Sequence, residues 1–184
     1  TNYDPPIGNA KFIAALAALL RAEFGWSVGP ENIAITAGGQ TAFFFLFNSL
    51  AGEFQGGKRK AILLPLVPEY IGYMNQGLSP GLLRAVEPRL EVLSGHRFKY
   101  HVDFDRIIVD DDVAAICVSR PTNPSGNVLT NEEVYRLASI ARNAGVPLII
   151  DNAYGLPFPG ILFRSADPIW DDNIILTLSL SKLG

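Results

Sequence analysis

The sequence predicts an α/β protein of three layers, α/β/α, around a mostly parallel central sheet. Its strand-like runs are apolar throughout and lack polar alternation, so both sheet faces are covered. The runs alternate with helical patterns, the order that builds parallel sheets. The residues after them, where such sheets bind ligands, are rich in hydroxyl, amide and charged groups.

The first helix is carried by Phe12, Ile13, Leu16, Leu19, Leu20 and Phe24 at helical spacing, with Asn9 as N-cap and Gly25 as the stop. Residues 33–36 read as a short strand. Gly38 and Gly39 then lead into residues 40–50, whose Phe43-Phe44-Phe45-Leu46-Phe47 run predicts a helix apolar on every face and buried. Residues 61–64 form a strand closed by Pro65 and Pro68. From 72 to about 112 the pattern is irregular, with short strands at 82–86 and 90–93. Regularity returns with the apolar strand 114–118. Thr130 followed by Glu133 is a capping box that opens a helix using Val134, Leu137, Ala138 and Ala141. Gly145 ends it, and 147–150 and 173–178 are further strands. No internal repeat or heptad pattern is present.

The length of 184 residues suggests one domain. With 48% hydrophobic and 18% charged residues, the composition excludes a disordered chain. Fifteen Lys and Arg against eighteen Asp and Glu give a net charge of −3 without a basic run, so nucleic acid is not an expected partner. The single cysteine, Cys117, excludes an internal disulfide and a multi-cysteine metal site; inside an apolar strand it reads as a small core residue. No apolar run approaches the roughly 20 residues that cross a bilayer, and no signal peptide is visible. These features read as an acidic, soluble, cytoplasmic protein. The chain opens at Thr1 without an initiator Met and closes at Gly184 after an apolar run and a lysine, which reads as a segment of something longer.

The strand ends carry the chemistry. In order they deliver Gly38-Gly39-Gln40; Pro68-Glu69-Tyr70; Arg120, Asn123 and Pro124; Asp151 and Tyr154; and Ser179, Ser181 and Lys182. Each has an ordinary reading: a tight turn for the glycines, an N-cap for Asp151, packing for Tyr70, a solvated surface amine for Lys182. Their convergence at one sheet edge favours a shared ligand. Backbone N–H groups at Gly39 and Gln40, with the Ser179 and Ser181 hydroxyls, suit a phosphate. Tyr70 suits a flat ring, and a carboxylate suits a protonated ring nitrogen. Tyr154 and Asn123 suit a phenolic oxygen, and the Lys182 amine suits an aldehyde. Together these describe pyridoxal 5′-phosphate (PLP). The Asp110-Asp111-Asp112 run reads as a solvated loop rather than a metal site. His96 and His101 receive no role, and Arg120 is either an ionic group near the site or a structural pair.

Asn123-Pro124-Ser125-Gly126, Asp151-Asn152-Ala153-Tyr154 and Ser179-Leu180-Ser181-Lys182 resemble, in order and rough spacing, the signatures of fold-type I, class I/II PLP-dependent aminotransferases. The resemblance covers essentially the whole chain. It implies that residues 1–184 are the PLP-binding large domain, with a small domain to follow Gly184. By it, Lys182 would hold PLP as a Schiff base and shuttle the substrate proton. Asp151 would pair with the pyridine nitrogen. Tyr154 and Asn123 would bond the phenolic oxygen, with Asn123 also near the substrate carboxylate, and Tyr70 would stack on the ring. Gly39, Gln40, Ser179 and Ser181 would hold the phosphate on a loop shaped by Gly38. Tyr3 would reach the phosphate of a neighbouring subunit, making the protein a homodimer with its site at the interface. The resemblance also implies a cis Asn123–Pro124 bond, which tertiary amides permit at small cost. Gly39 departs from the Ser or Thr common there and removes one hydroxyl from the cup. A second phosphate Arg and a substrate-carboxylate Arg would lie beyond Gly184, so this segment alone is expected to be inactive.

Longer stretches at 68–73, 98–104, 119–128 and 151–160 are similar to members that exchange L-valine and pyruvate for 3-methyl-2-oxobutanoate and L-alanine. The alternatives are a PLP-dependent lyase of the same fold, and a non-catalytic aminotransferase-like sensor domain of a transcription regulator.

Overall fold

The computed structural model describes residues 5–162 and 164–182. Tyr3, one of the expected site residues, lies outside them. Helix α1 (Ala10–Phe24) starts where Asn9 Oδ1 accepts the N–H groups of Lys11 and Phe12, each at 3.1 Å. It stops at Gly25, whose φ of 66° lets its N–H close onto Arg21 O. The helix buries Ile13, Ala17 and Leu20 as one stripe and leaves Phe12 and Leu19 exposed.

Two expectations need correction in the next stretch. Residues 33–36 form no strand. Among the described residues their backbone makes one rung, Ile35 N–H to Ile7 O at 3.0 Å, with the N-terminal segment rather than a ladder with the sheet. Helix α2 (Gly39–Leu50) forms, but it is not buried all round. Phe43 and Phe47, four residues apart, face the sheet, while Phe45 is 57% exposed and Phe44 37%.

Strands β1 (Gly52–Glu53) and β2 (Arg59–Leu64) are antiparallel, joined through Gly56 and Gly57. Strand β3 (Leu83–Ala85) runs parallel to β2. The stretch read as irregular also holds a hairpin, β4 (Arg89–Leu93) with β5 (Arg97–His101), of which the sequence reading found only the first arm. Its turn places Gly95 and His96 at φ of 67° and 57°. The remaining elements are β6 (Val113–Ser119), α3 (Asn131–Asn143), β7 (Leu148–Asn152) and β8 (Ile174–Leu178).

Strands β2, β6, β7 and β8 lie side by side and parallel. Every residue of β6 and β7 is buried, as expected for strands covered on both faces. Alternation along them divides the core in two. Leu63, Val118, Leu148 and Ile150 pack under Val134, Leu137 and Ala141 of α3. Ile62, Ala115, Cys117 and Ile149 face Phe43 and Phe47 of α2. The result is the expected three-layer α/β/α fold.

Helix α3 is fastened at its start by both halves of the expected capping box. Thr130 Oγ1 accepts Glu133 N–H at 3.1 Å, and Glu133 Oε2 accepts Thr130 N–H at 2.8 Å. Glu133 Oε1 also accepts Val102 N–H and meets His101 Nδ1 at 3.0 Å, tying the hairpin to the helix. Burial pushes the Glu133 carboxyl up, but the bonds from Thr130, Val102 and His101 and the Lys99 charge outweigh it and hold its pKa below the usual range. Because the folded pKa is depressed, this carboxylate stabilises the fold above its unfolded pKa, and that contribution is lost as pH falls through the folded pKa. Glu133→Ala is expected to destabilise by about 2–4 kcal/mol at neutral pH, since it leaves buried donors unpaired. Denaturant titrations should show that gap narrowing on acidification.

Candidate active site

The register of the sheet brings the expected site residues to one edge. Ser119, Asp151 and Thr177 are neighbours across β6, β7 and β8, so the loops that follow leave side by side. They carry Asn123, Tyr154, and Ser179 to Lys182.

Asp151 ends a fully buried strand and is itself buried. Its Oδ1 accepts Ala153 N–H at 3.0 Å, and its Oδ2 accepts the Tyr73 hydroxyl at 2.7 Å. Burial raises its pKa; the Tyr73 and Ala153 bonds pull the other way. A carboxylate has about four lone-pair sites, so two donors leave room for a third. Asp151 is therefore a buried acid held in place with acceptor capacity to spare, and no N-cap.

Sequence reasoning missed Tyr73. It sits in the 3-10 turn Ile71–Asn75 after β2, buried against Phe43 and Phe47, with ring centroids 4.9 and 5.6 Å away. Burial pushes its phenol well above the ordinary value, so it acts as a donor. The available signal was its spacing, one turn beyond Tyr70 in a segment leaving a strand end. Tyr70 lies edge-on to Tyr73 at 5.4 Å, and its hydroxyl accepts Gln40 Nε2 at 2.7 Å. Gly72 lacks a side chain where a Cβ would run into the Tyr70 ring, which lets that ring lie along the backbone. Gln76 donates to Gln40 Oε1, so the Gln40 side chain is engaged and what it can offer an anion is its backbone N–H.

At the start of α2, Gly38 adopts φ of 98° and provides no capping side chain. The first N–H groups of the helix are thus left for an outside acceptor, where the helix dipole favours negative charge. Space beside Gly38 and Gly39 is open, with nothing within 4 Å of a notional Cβ. After β8, the Ser179 and Ser181 hydroxyls lie 2.7 Å apart, and Ser181 N–H points to Ser179 Oγ at 3.3 Å. Lys182 Nζ stands 5.4 Å from the centre of the Tyr154 ring. Asn123 is exposed at the same edge, and the Asn123–Pro124 bond is cis as the resemblance implies.

Arg120 proves to be a structural pair. Its guanidinium is buried and donates to Leu129 O at 2.9 Å, Asp167 O at 2.9 Å and Asn131 Oδ1 at 2.5 Å. It rivets the loops around the start of α3. Asp110 pairs with Arg84 at 2.9 Å, and no acidic or histidine group able to hold a metal is present among the described residues. No helix among them is long and apolar enough to cross a membrane.

A helix start without a capping side chain, paired hydroxyls, two aromatic rings, a buried acid and a primary amine thus share one sheet edge. Their chemistry complements a phosphate, a flat ring with a protonated nitrogen, and an aldehyde, as PLP carries. The chain belongs to the class I and II aminotransferase family, whose model matches residues 90–183. It is 51% identical over 183 residues to the valine–pyruvate aminotransferase of Escherichia coli (strain K12), covering 100% of this chain and 44% of that protein. The crystal structure of valine–pyruvate aminotransferase from Salmonella typhimurium LT2 matches with a TM-score of 0.89 and 51% identity, over 100% of this chain and 45% of that one. A putative amino-acid aminotransferase from Psychrobacter arcticum matches with a TM-score of 0.93 and 47% identity, over 100% of this chain and 44% of that one. The chain spans less than half the length of these relatives.

Proposed function

We propose that this chain is the cofactor-holding large domain of a PLP-dependent aminotransferase that converts L-valine and pyruvate to 3-methyl-2-oxobutanoate and L-alanine. The observation that carries the reading is the buried Asp151, held by Tyr73 and Ala153 at the strand ends from which Tyr154 and Lys182 also emerge. The valine–pyruvate pair is supported by the 51% identity to the Escherichia coli enzyme of that name. When bound, PLP supplies an electron sink for the pair left behind as the substrate's Cα–H bond breaks.

The chain's own residues do the rest. Lys182 would hold the coenzyme aldehyde through its amine and would carry the proton at the substrate's Cα. Asp151 keeps the ring nitrogen protonated by placing a negative charge beside it. Tyr154 and Asn123 would orient the phenolic oxygen, Asn123 would also serve the substrate carboxylate, and Tyr70 would cover the ring face. The N–H groups of Gly39 and Gln40 and the Ser179 and Ser181 hydroxyls hold the phosphate, with Gly38 opening the loop. Arg120, taken up by its own partners, is not the group that grips the substrate carboxylate. The working unit is a cytoplasmic homodimer acting in amino-acid biosynthesis, in which Tyr3 is assigned to the phosphate of the neighbouring subunit.

The test is a donor and acceptor panel on the full-length protein. L-Valine and pyruvate should give equal amounts of 3-methyl-2-oxobutanoate and L-alanine and no ammonia. Oxo acid and ammonia formed without any acceptor would favour the lyase reading. Tight cofactor binding without turnover on any pair would favour the sensor reading.

A further inference from the structure

A second acid, half-buried, lies beneath the site beside Asp151. Glu69, from the loop after β2, reaches the end of β6. Its Oε1 accepts Ser119 N–H at 2.9 Å, its Oε2 accepts the Ser119 hydroxyl, and Tyr70 N–H reaches Oε2 at 3.3 Å. Ser119 is the residue paired with Asp151 across β6 and β7. A second carboxyl group is therefore clasped next to the one proposed to face the cofactor ring.

A clamp on Ser119 does not by itself require an acid. An amide would accept the Ser119 N–H through its oxygen and donate to the hydroxyl through its nitrogen, giving up only the long Tyr70 N–H contact and carrying no charge. The titratable groups that act with Glu69 are Asp151 from β7, Tyr73 from the 3-10 turn and Cys117 from β6, and all of them become neutral or negative. A neighbouring carboxylate disfavours the ionised form of Glu69. Burial, with a smaller contribution from Asp151, lifts Glu69 to about 7 against the lowering effect of its Ser119 and Tyr70 bonds. A cationic ring beside Asp151 would favour the ionised form of Glu69, and by reciprocity ionised Glu69 would strengthen the hold on that ring.

We propose that Glu69 is a positioning residue acting through Asp151, its carboxyl group releasing a proton to complete the negative field that holds the cationic cofactor ring. The inference rests on the cofactor reading above and concerns affinity for the ring, separate from substrate choice.

Pyridoxamine 5′-phosphate tests it, because that form has no aldehyde and cannot bond Lys182. Its dissociation constant is measured for full-length apoprotein, wild type and Glu69→Gln, across pH. The two proteins should bind about equally near about pH 6, and wild type should bind about three- to tenfold tighter near about pH 8.5. An affinity ratio that does not change with pH overturns the inference and leaves the cofactor reading standing. Failure of wild type to bind at any pH overturns both.

The wild type alone gives a second reading that does not depend on how the variant folds. In infrared spectra of apoprotein with isotopically labelled glutamate, one protonated carboxyl should lose its proton between about pH 6 and about 8. That loss should move to lower pH when the ligand is bound. Glutamates that are all ionised by about pH 5.5 in the apoprotein overturn the inference.

Discussion

Lys182→Ala in the full-length protein is expected to abolish the borohydride-stable attachment of PLP and to lower amino transfer by about four orders of magnitude or more. The amine has two roles under the proposed reading, bonding the aldehyde and carrying the proton at the substrate's Cα, so its removal deletes both together and non-additively. Lys182→Arg should fail to nearly the same extent. A guanidinium keeps the charge but stays protonated, and so is neither nucleophile nor base. Neither variant should disturb the fold. Lys182 is exposed, and its contact with the Tyr154 ring at 5.4 Å is worth about 0.5–1 kcal/mol at such a position. Peptide mass analysis after borohydride reduction should find the pyridoxyl group on the Lys182 peptide. An adduct on a different lysine, or a Lys182→Ala variant with near-normal turnover, would remove the amine from its assigned role.

The parts of the molecule legible in the sequence are those whose signals are local. Residues 114–118 carry no polar side chain and can be satisfied only at the centre of a sheet, and β6 is entirely buried. Thr130 and Glu133 satisfy each other's backbone donors whatever lies beyond them, so the start of α3 could be read directly. Residues 33–36 have strand composition, but a strand needs a neighbour in register, and among the described residues Ile35 finds only Ile7. The five-residue Phe43 to Phe47 run could not disclose which of its faces meets the sheet. In β5, aromatic Phe98 and Tyr100 alternate with Arg97, Lys99 and His101, a period-two pattern obscured by its high charge.

The same division runs through the site. That Asp151, Tyr154 and Lys182 come to one edge was readable because they lie at or a few residues beyond strand ends, and strand ends in parallel sheets gather by topology. Tyr73 and Glu69 were not, because their roles depend on side-chain direction. A 3-10 turn over Ile71–Asn75 sends the Tyr73 hydroxyl to Asp151, and the Ser119 backbone captures Glu69. Arg120 shows the converse. Its position after β6 left an ionic role and structural pairing both open, and only its donors, which point back toward Leu129, Asn131 and Asp167, decide for the second.

Asp151→Asn is expected to leave the fold intact while lowering turnover by about two to four orders of magnitude. The amide fits the same space: its oxygen can accept Ala153 N–H, and its nitrogen can donate to Tyr73 Oη in place of the bond now received. What is lost is the charge. A neutral amide cannot favour the protonated ring nitrogen, and without that proton the coenzyme is a weaker electron sink.

Stability should move in the opposite sense. Burial raises the folded pKa of Asp151, so the native state binds this proton more tightly than the unfolded chain does. Stability attached to the group therefore declines as pH rises from its unfolded pKa through its folded one. Relative to wild-type apoprotein, Asp151→Asn should gain stability in denaturant titrations as pH rises through that window, and the gain should fade on acidification. Tyr73→Phe separates charge from contact. It keeps the carboxylate but removes a donor that lowers its pKa, so turnover should fall by about tenfold, with the acid limb of the pH profile moved upward. An Asp151→Asn enzyme within about threefold of wild type would leave the burial of this carboxylate without a catalytic reason.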